Sequence, residues 1–263
     1  MCTIVALKGV RADLPLVLAT NRDEFFARPS SGPTRLLDQP LTLGGRDLVA
    51  GGTWMGVTKM GLFVGVTNQR TFAPPDPTRR SRGQLVLGAL ALGDVGAITS
   101  LVQGIDGRDY NGCNLMWGDA RALYVGYLRA QARIEIVEVA DGVHVLPNDR
   151  LDSADFPKVA RAQALIAPLV SAPFEALVHG LERVLADDRL PALDEIASPP
   201  PASEVSRERL RQLAALCVRT ESYGTRTSTV VAIGPEGTRY FGYADGPPDR
   251  TPFVDIRAMY DQA

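Results

Sequence analysis

The chain has 263 residues, of which 45% are hydrophobic and 22% are charged, and its formal net charge is −2. This length is enough to bury a sizeable core, and the charge balance lacks the basic excess that nucleic acids or anionic membranes attract. The sequence contains no uninterrupted apolar run of about 18 residues, as a membrane span requires, and it does not begin like a signal peptide. We therefore expect a cytoplasmic protein with no membrane span and no nucleic-acid partner.

The first 70 residues contain short runs rich in Val, Leu, Ile and Thr, which are typical of strands. Strands are predicted at 3–9, 15–20, 53–58 and 62–68. Gly, Pro and Asn separate these runs, and "TKMG" at 58–61 predicts a hairpin turn between the last two strands. Loops are predicted at 28–42, 70–81 and 188–206.

Beyond residue 81 the apolar spacing changes to that of helices. Helices are predicted at 82–92, 95–104, 156–170, 173–187 and 207–218. Ser81 and Asp94 are suited to cap the first two. Between the helical segments, strands return within 110–146, and "TSTVVAIG" and "TRYFGYAD" predict a final hairpin around "PEG".

Strands and helices thus come in blocks and do not alternate regularly. This order favours antiparallel sheets with segregated helices, an α+β fold. The Pro- and Ser-rich loop does not separate two self-sufficient cores, and two final strands alone would be unstable. We therefore predict one domain over residues 1–263.

Cys2, Cys113 and Cys217 are odd in number and far apart, which predicts neither a disulfide framework nor a zinc knuckle. Cys2 directly follows the initiator Met1. If Met1 is removed, Cys2 carries a thiol and a free α-amine, and the amine's pKa of roughly 7.7–8.0 lets it act as a base near neutral pH. This is the arrangement of an N-terminal nucleophile. The alternative is a small buried residue at the start of an edge strand.

The apolar run "LPLVLAT" ends in Asn21, Arg22, Asp23 and Glu24. One interpretation is a polar turn where a strand reaches solvent. The other follows if 3–9 and 15–20 form a hairpin, because the end of the second strand then lies near Cys2. A carboxylate there could bind the α-ammonium group, and an arginine could lower the pKa of the thiol.

Three later residues occupy comparable places. Asn68 ends the strand in "GLFVGVTN", and its amide could donate to a developing oxyanion, although such an asparagine is in isolation more typical of a turn. Asn148 follows the strand in "HVLPND" in the same way. Arg226 starts a strand that should be buried, where it needs a partner such as a carboxylate or a thiolate.

Four segments resemble, in order, the NRDE protein family, which includes the transport-and-Golgi-organisation 2 proteins. They are "ATNRDEF", "LGGRDLVAGGTWMGVTKMGLFVGVTNQR", "LPNDRLDSADFPKV" and "GTRTSTVV". The family is in turn similar to the N-terminal-nucleophile hydrolases of the choloylglycine hydrolase and penicillin V acylase group. The resemblance implies a four-layer αββα sandwich, in which two antiparallel sheets are covered by helices on both outer faces.

The resemblance also implies roles for site residues. Cys2 would be the nucleophile, Asp23 would contact its amine, Asn68 and Asn148 would serve the oxyanion and substrate, and Arg226 would support the thiol.

One feature departs from those hydrolases, which place an arginine a few residues before the aspartate. Here Arg22 directly precedes Asp23, so it should point to the opposite face of a strand. Arg22 is therefore either structural or part of a rearranged site.

Four residues are candidates for contact with substrate: Asn21, Arg22, Trp54 and His144. Trp54 fits a core or a pocket wall, and His144 could line a pocket near Asn148, although a lone strand histidine is usually structural. Two histidines without paired spacing make a histidine-bound metal site unexpected, and the chemistry requires no cofactor.

The leading interpretation is an N-terminal-cysteine amidohydrolase or acyltransferase-like protein acting on an amide or thioester. The rival is a binding or trafficking protein of the same fold without catalysis, since some relatives are associated with haem mobilisation and with lipid or acyl-CoA metabolism. A haem carrier needs an axial ligand, and the sequence singles out none. A third interpretation is a structural protein with no small-molecule site. The ligand and the oligomeric state stay open.

Overall fold

The computed structural model describes residues 2–262. The strands in chain order are β1 (Cys2–Lys8), β2 (Leu16–Phe25), β3 (Ser30–Asp38), β4 (Leu41–Asp47), β5 (Met55–Thr58), β6 (Phe63–Asn68), β7 (Cys113–Gly118), β8 (Leu123–Leu128), β9 (Glu135–Glu138), β10 (Gly142–Leu146), β11 (Tyr223–Gly234), β12 (Gly237–Ala244) and β13 (Val254–Asp255). The α-helices are α1 (Arg82–Ala91), α2 (Val95–Gly104), α3 (Pro157–Ile166), α4 (Phe174–Leu185) and α5 (Arg207–Gln212).

The strands form two antiparallel sheets. The first has the order β10-β1-β2-β11-β12-β13, and the second has the order β3-β4-β5-β6-β7-β8-β9. The second sheet is a simple meander, whereas the first brings together strands from both ends of the chain. In particular, β1 pairs with β2 on one side and with β10 on the other.

Three apolar clusters define four layers. Ile4, Leu18 and Phe63 belong to the cluster between the two sheets. A second cluster joins the outer face of the first sheet to α3 and α4, and a third joins the outer face of the second sheet to α1 and α2. Each strand alternates its side chains between the two faces, so both sheets are buried on both sides. The α+β class and the αββα sandwich are confirmed.

The first four predicted helices are found with small changes of boundary. Both predicted caps are present: the Ser81 hydroxyl accepts from the Gln84 N–H at 3.3 Å, and the Asp94 carboxylate accepts from the Ala97 N–H at 2.8 Å. The fifth helix ends at Gln212, earlier than predicted, because the following residues leave the helix and lead into β11. None of the helices between residues 2 and 262 is both long and apolar enough to cross a bilayer.

Two predictions about strand limits are wrong. The strand predicted at 15–20 extends to Phe25 between β1 and β11, so of the two interpretations of Asn21 to Glu24 the polar turn is wrong and the hairpin of the first two strands is present. The segment 28–42 is not a loop, because it contains β3 and the start of β4. β3 is an edge strand whose residues are mostly half-buried, so it lacks the apolar alternation by which strands are recognised.

Candidate functional site

The register of β1 and β2 brings Cys2 and Arg22 together. The two residues are directly opposite, and opposite residues of an antiparallel pair share a face. Ile4 continues that face into the core between the sheets, so Cys2 and Arg22 face the inside of the sandwich. The Arg22 guanidinium lies 4.2 Å from the ring centroid of Trp54 and donates to the Ser30 hydroxyl at 3.3 Å.

Burial and the nearby positive charge act on the pKa of the Cys2 thiol in opposite directions. Burial raises the pKa of the Cys2 thiol, and the negative charge of Asp23 raises it as well. The guanidinium of Arg22 acts to lower the same pKa. Arg22 is itself only 4% exposed, and burial lowers its pKa while the Cys2 thiolate acts to raise it. The pair is therefore coupled: each group favours the charged form of the other.

Asp23 lies on the opposite face of β2 from Arg22, as its position next to Arg22 predicts. It is 1% exposed, and its Oδ1 accepts a 2.6 Å hydrogen bond from the hydroxyl of Thr225, its neighbour in β11. The Tyr223 hydroxyl donates to the Asp23 carbonyl at 2.8 Å. Burial raises the pKa of Asp23, while the charge of Lys158 and the hydrogen bond from Thr225 act to lower it.

Lys158 is a buried cation that the sequence analysis missed. It lies in the first turn of α3, is 2% exposed, and its Nζ donates to the Thr3 hydroxyl at 3.4 Å. Burial lowers the pKa of Lys158, and the negative charges of Asp23 and the Cys2 thiolate act to raise it. A signal for its burial exists in the sequence, because Lys158 occupies the same i, i+4 stripe as the buried Ala162 and Ile166.

The ends of β6 and β10 place two asparagines near the start of β1. The pairing of β1 with β10 ends at Ile4 and Leu146, and Asn148 follows Leu146 by two residues. The amide Nδ2 of Asn148 donates to the backbone carbonyl of Asn68 at 2.7 Å. β6 packs across the sandwich from β1, so this hydrogen bond helps to join the end of β6 to the segment after β10, at the end of the sandwich that holds Cys2 (the Cys2 end).

The carbonyl oxygen of the Asn148 side chain is buried and has no hydrogen-bond partner within residues 2–262. The orientation of this amide is fixed chemically: the Asn68 carbonyl can only accept, so the atom facing it must be the NH₂ group. Buried polar atoms without a partner are rare in folded proteins. The Asn148 Oδ1 atom is therefore a vacant acceptor at the strand ends.

Arg226 is held differently from the prediction. β11 has a register shift between Thr225 and Thr227, and such a bulge redirects the side chain at that position. The Arg226 guanidinium donates to the backbone carbonyls of Phe25 and Phe26, at 3.3 and 2.7 Å. Its hydrogen-bond partners are thus carbonyls at and just beyond the end of β2, where the prediction expected a carboxylate or a thiolate.

Asn21 and His144 have their polar atoms engaged within the chain. The Asn21 amide donates to the Leu185 and Leu216 carbonyls at 2.9 and 2.8 Å, and its oxygen accepts from the Ser228 hydroxyl at 2.5 Å. The ring nitrogens of His144 lie 2.7 Å from Asp152 Oδ2 and 3.1 Å from the Ala140 carbonyl. The hydrogen bond with Asp152 raises the pKa of His144.

The structure therefore sorts the predicted residues into two groups. Cys2, Arg22, Trp54, Asp23, Asn68 and Asn148 lie at one end of the sandwich. Asn21, His144 and Arg226 hold neighbouring backbone or side-chain groups in place.

A family model described as Transport and Golgi organisation 2 matches residues 1–242. A Transport and Golgi organization protein 2 homolog from Bos taurus is 33% identical over 240 residues, covering 84% of this chain and 83% of the bovine protein.

Solved structures show the same fold at low identity. An arginine-to-leucine variant of the conjugated bile acid hydrolase from Clostridium perfringens matches with a TM-score of 0.54 and 12% identity, covering 98% of this chain and 93% of the hydrolase. An N-acylethanolamine-hydrolyzing acid amidase ortholog from Caenorhabditis elegans matches with a TM-score of 0.50 and 10% identity, covering 88% and 92% of the two chains. The fold is that of the N-terminal-nucleophile hydrolases, and the chain belongs to the Transport and Golgi organisation 2 family.

Proposed function

We propose that this protein is an N-terminal-cysteine amidohydrolase that becomes active when Met1 is removed. The observation that carries the proposal is the register of β1 and β2, which sets Cys2 opposite Arg22, while the pairing of β1 with β10 ends two residues before Asn148. A thiol, a cation beside it and hydrogen-bonding amides then meet at one strand end. Acyl transfer by a cysteine nucleophile requires these groups.

In the proposed reaction, the free α-amine of Cys2 takes the proton of the thiol. The sulfur attacks the carbonyl carbon of the substrate and forms a C–S bond, and the negative charge moves to the carbonyl oxygen. The amide of Asn68 and the second N–H of the Asn148 side chain, whose first N–H is bound to the Asn68 carbonyl, would supply hydrogen-bond donors for that oxygen. The amine then returns the proton to the leaving nitrogen as the C–N bond breaks, which leaves a thioester on Cys2. Water cleaves the thioester, releases the acid and restores the thiol.

Asp23 and Lys158 would serve the α-amine in this scheme. Asp23 in its ionised form would hold the amine and its protonated form in place. Burial raises the pKa of Asp23, so the carboxylate needs nearby positive charge to stay ionised, and Lys158 acts in that direction. We assign Lys158 as the positioning residue that keeps Asp23 charged.

The vacant oxygen of Asn148 favours an amide substrate over a thioester. An amide offers an N–H that the buried Oδ1 can accept, whereas the sulfur of a thioester offers no donor. A buried acceptor without a partner costs about 1–3 kcal/mol, and binding of an amide N–H would remove that cost.

The test combines protein mass spectrometry with substrate turnover. The purified protein should lack Met1, turn over members of a panel of N-acyl amides, and carry an acyl group on Cys2 during turnover. Cys2→Ala should abolish both turnover and the adduct, whereas Cys217→Ala, which removes a buried thiol near Asp23 that has no α-amine, should keep both. Turnover that persists in Cys2→Ala would rule the mechanism out.

A separate titration addresses the alternative of a non-catalytic carrier of haem or acyl-CoA. A carrier would bind its ligand equally well with and without the Cys2 thiol unless that thiol is a ligand. Titration with haem, followed by its absorption spectrum, would separate carriage from hydrolysis.

A further inference from the structure

A buried asparagine of the second sheet contacts both segments that carry the candidate oxyanion donors. Asn114 lies in β7, is fully buried, and takes no part in the mechanism above. Side chains alternate between the faces of a strand, so Asn114 shares a face with Met116, which belongs to the cluster between the two sheets. The other side chains of β7 are apolar. An amide in this strand therefore needs an explanation beyond filling the core.

Asn114 is hydrogen-bonded to both chain neighbours of Asn68. Its Nδ2 donates to the Thr67 hydroxyl at 2.9 Å, and its Oδ1 accepts from the Gln69 side chain at 2.8 Å. Thr67 is also the residue directly opposite Asn114 in the pairing of β6 with β7. One side chain thus fixes the residues before and after Asn68.

Asn114 is hydrogen-bonded to both chain neighbours of Asn148 as well. Its Nδ2 donates to the Asp149 carbonyl at 2.8 Å and, over a longer 3.4 Å, to the Pro147 carbonyl. The Thr67 hydroxyl donates to the same Pro147 carbonyl at 3.0 Å. Backbone carbonyls can only accept, so they fix the orientation of the Asn114 amide.

The amide of Asn114 is therefore the centre of a buried polar network. A network of this kind, with its hydrogen bonds made, favours one arrangement of the groups that it joins. Donors that are held in advance stabilise a developing oxyanion without having to reorganise during the reaction. A displacement of about 1 Å in such a group can cost about 10²-fold in rate. Rigid placement of the two segments is what this network supplies.

We propose that Asn114 is a positioning residue that holds Asn68 and Asn148 together as an oxyanion-binding pair. This inference rests on the hydrolase function proposed above. Asn114 acts through the two asparagines, since it bonds the residues on either side of each. The 2.7 Å hydrogen bond from Asn148 Nδ2 to the Asn68 carbonyl joins the same two segments. Loss of the Asn114 amide should weaken the binding of an anionic tetrahedral oxygen and leave the Cys2 thiol as reactive as before.

Two reagents that react with Cys2 test this inference in the full-length protein. Trifluoroacetone adds reversibly to a thiolate: a C–S bond forms, and the electron pair of the C=O bond moves to the oxygen, which becomes anionic. Iodoacetamide alkylates the same sulfur with loss of iodide and creates no anionic oxygen. The concentration of trifluoroacetone that halves the rate of alkylation at Cys2, located by peptide mapping, measures its binding.

We expect Asn114→Leu to weaken the binding of trifluoroacetone at least about tenfold, while alkylation without trifluoroacetone stays within about twofold of the native rate. The kcat for an N-acyl amide should fall about 10²-fold, with a smaller change in KM, because the oxyanion develops only in the transition state.

The matched control is Thr99→Val, which removes a hydrogen bond from the same strand on its other face. The indole N–H of Trp117, three residues beyond Asn114 in β7, donates to the Thr99 hydroxyl at 3.1 Å. Trp117 belongs to the cluster between the second sheet and its helices. This control should keep the native binding of trifluoroacetone and the native kcat.

Binding of trifluoroacetone that is unchanged in Asn114→Leu, or weakened equally by Thr99→Val, would overturn this role. An equal loss of alkylation by iodoacetamide would also overturn it, since that result indicates a general structural role. If Asn114→Leu does not fold, Gln69→Met replaces it, because this change removes only the bond to Asn114 Oδ1. Gln69→Met should weaken the binding several-fold, and unchanged binding would again contradict the inference.

The two proposals fail in different ways. A native Cys2 that reacts with neither reagent contradicts the hydrolase function, and this inference with it. A native Cys2 that binds trifluoroacetone with an affinity independent of Asn114 contradicts this inference alone.

Discussion

The two ends of the first sheet bury different kinds of residue. At the end that holds the β11–β12 turn, Leu16 and Ile233 are fully buried, and charged residues such as Arg239 and Asp13 remain at the surface. At the Cys2 end, Arg22, Asp23 and Lys158 are each less than 5% exposed.

Burial of a charge is unfavourable unless partners compensate for it, and buried ion pairs are often no more stabilising than apolar residues of similar volume. The end that holds the β11–β12 turn shows that this chain can fill the same sheet with apolar residues. The charges at the Cys2 end are therefore better explained by chemistry than by stability.

The largest effect should come from replacing the nucleophile. Cys2→Ala should lower kcat by at least about 10⁴-fold, since removal of a nucleophile eliminates the covalent route. Steady-state turnover of an N-acyl amide measures the change. A variant that keeps a tenth of the native rate would show that the Cys2 end is not a nucleophilic centre.

The second effect separates the buried lysine from a structural role. Lys158→Met removes the positive charge that favours ionised Asp23, so the pKa of Asp23 rises. We expect kcat/KM to fall about 10²-fold and its acidic limb to move to higher pH.

Lys8→Met is the matched control, because Lys8 is also largely buried but lies at the other end of β1, paired with Asp141 at 3.1 Å. It should leave the pH profile unchanged. If Lys158 were merely structural, the remaining activity of Lys158→Met would keep the native pH profile.

A smaller effect is expected on the inner face of β2. Arg22→Gln removes the cation that acts to lower the pKa of the Cys2 thiol. The pKa of the thiol therefore rises and its thiolate fraction at pH 7 falls, so alkylation by neutral iodoacetamide should slow several-fold at that pH. An unchanged dependence of the rate on pH would mean that Arg22 serves only to pack against Trp54.

The smallest effect concerns His144, which lies in the same sheet but outside the site. Its pKa is raised by the hydrogen bond with Asp152. A group whose pKa is raised on folding contributes stability that is present at low pH and is lost as the pH rises through its folded pKa.

The free energy of unfolding should therefore fall by up to about 1 kcal/mol as the pH rises from about 6 to above the folded pKa. His144→Gln should remove this component of the pH dependence, as urea denaturation at several pH values can measure. If the free energy of unfolding depended on pH identically in the variant and the native protein, this prediction would be contradicted.

The helices could be predicted from the sequence because their signals are local, whereas the four-layer order was implied by the family resemblance. Apolar spacing and the cap residues Ser81 and Asp94 mark where helices begin. The limits of β2 could not be predicted in this way. Asn21, Arg22 and Asp23 are polar, and they belong to a strand because β1 pairs with the first two and β11, some 200 residues later in the chain, pairs with all three.

The candidate site was predictable for residues at strand ends and not for those that depend on packing between layers. Asn68 and Asn148 lie where the ends of β6 and β10 place them. Lys158 reaches the site from a helix, and a lysine on an amphipathic helix is ordinarily at the surface. Arg226 departs from its expected partner because a bulge, which the sequence does not mark, redirects its side chain.

The central claim is that Cys2 acts as an N-terminal nucleophile, and the intact mass of the purified native protein during incubation with an N-acyl amide tests it most directly. The account predicts a mass without Met1, together with a second species heavier by the acyl group and absent from Cys2→Ala. A protein that retains Met1 would contradict the account, because its α-amine could not serve the thiol of Cys2.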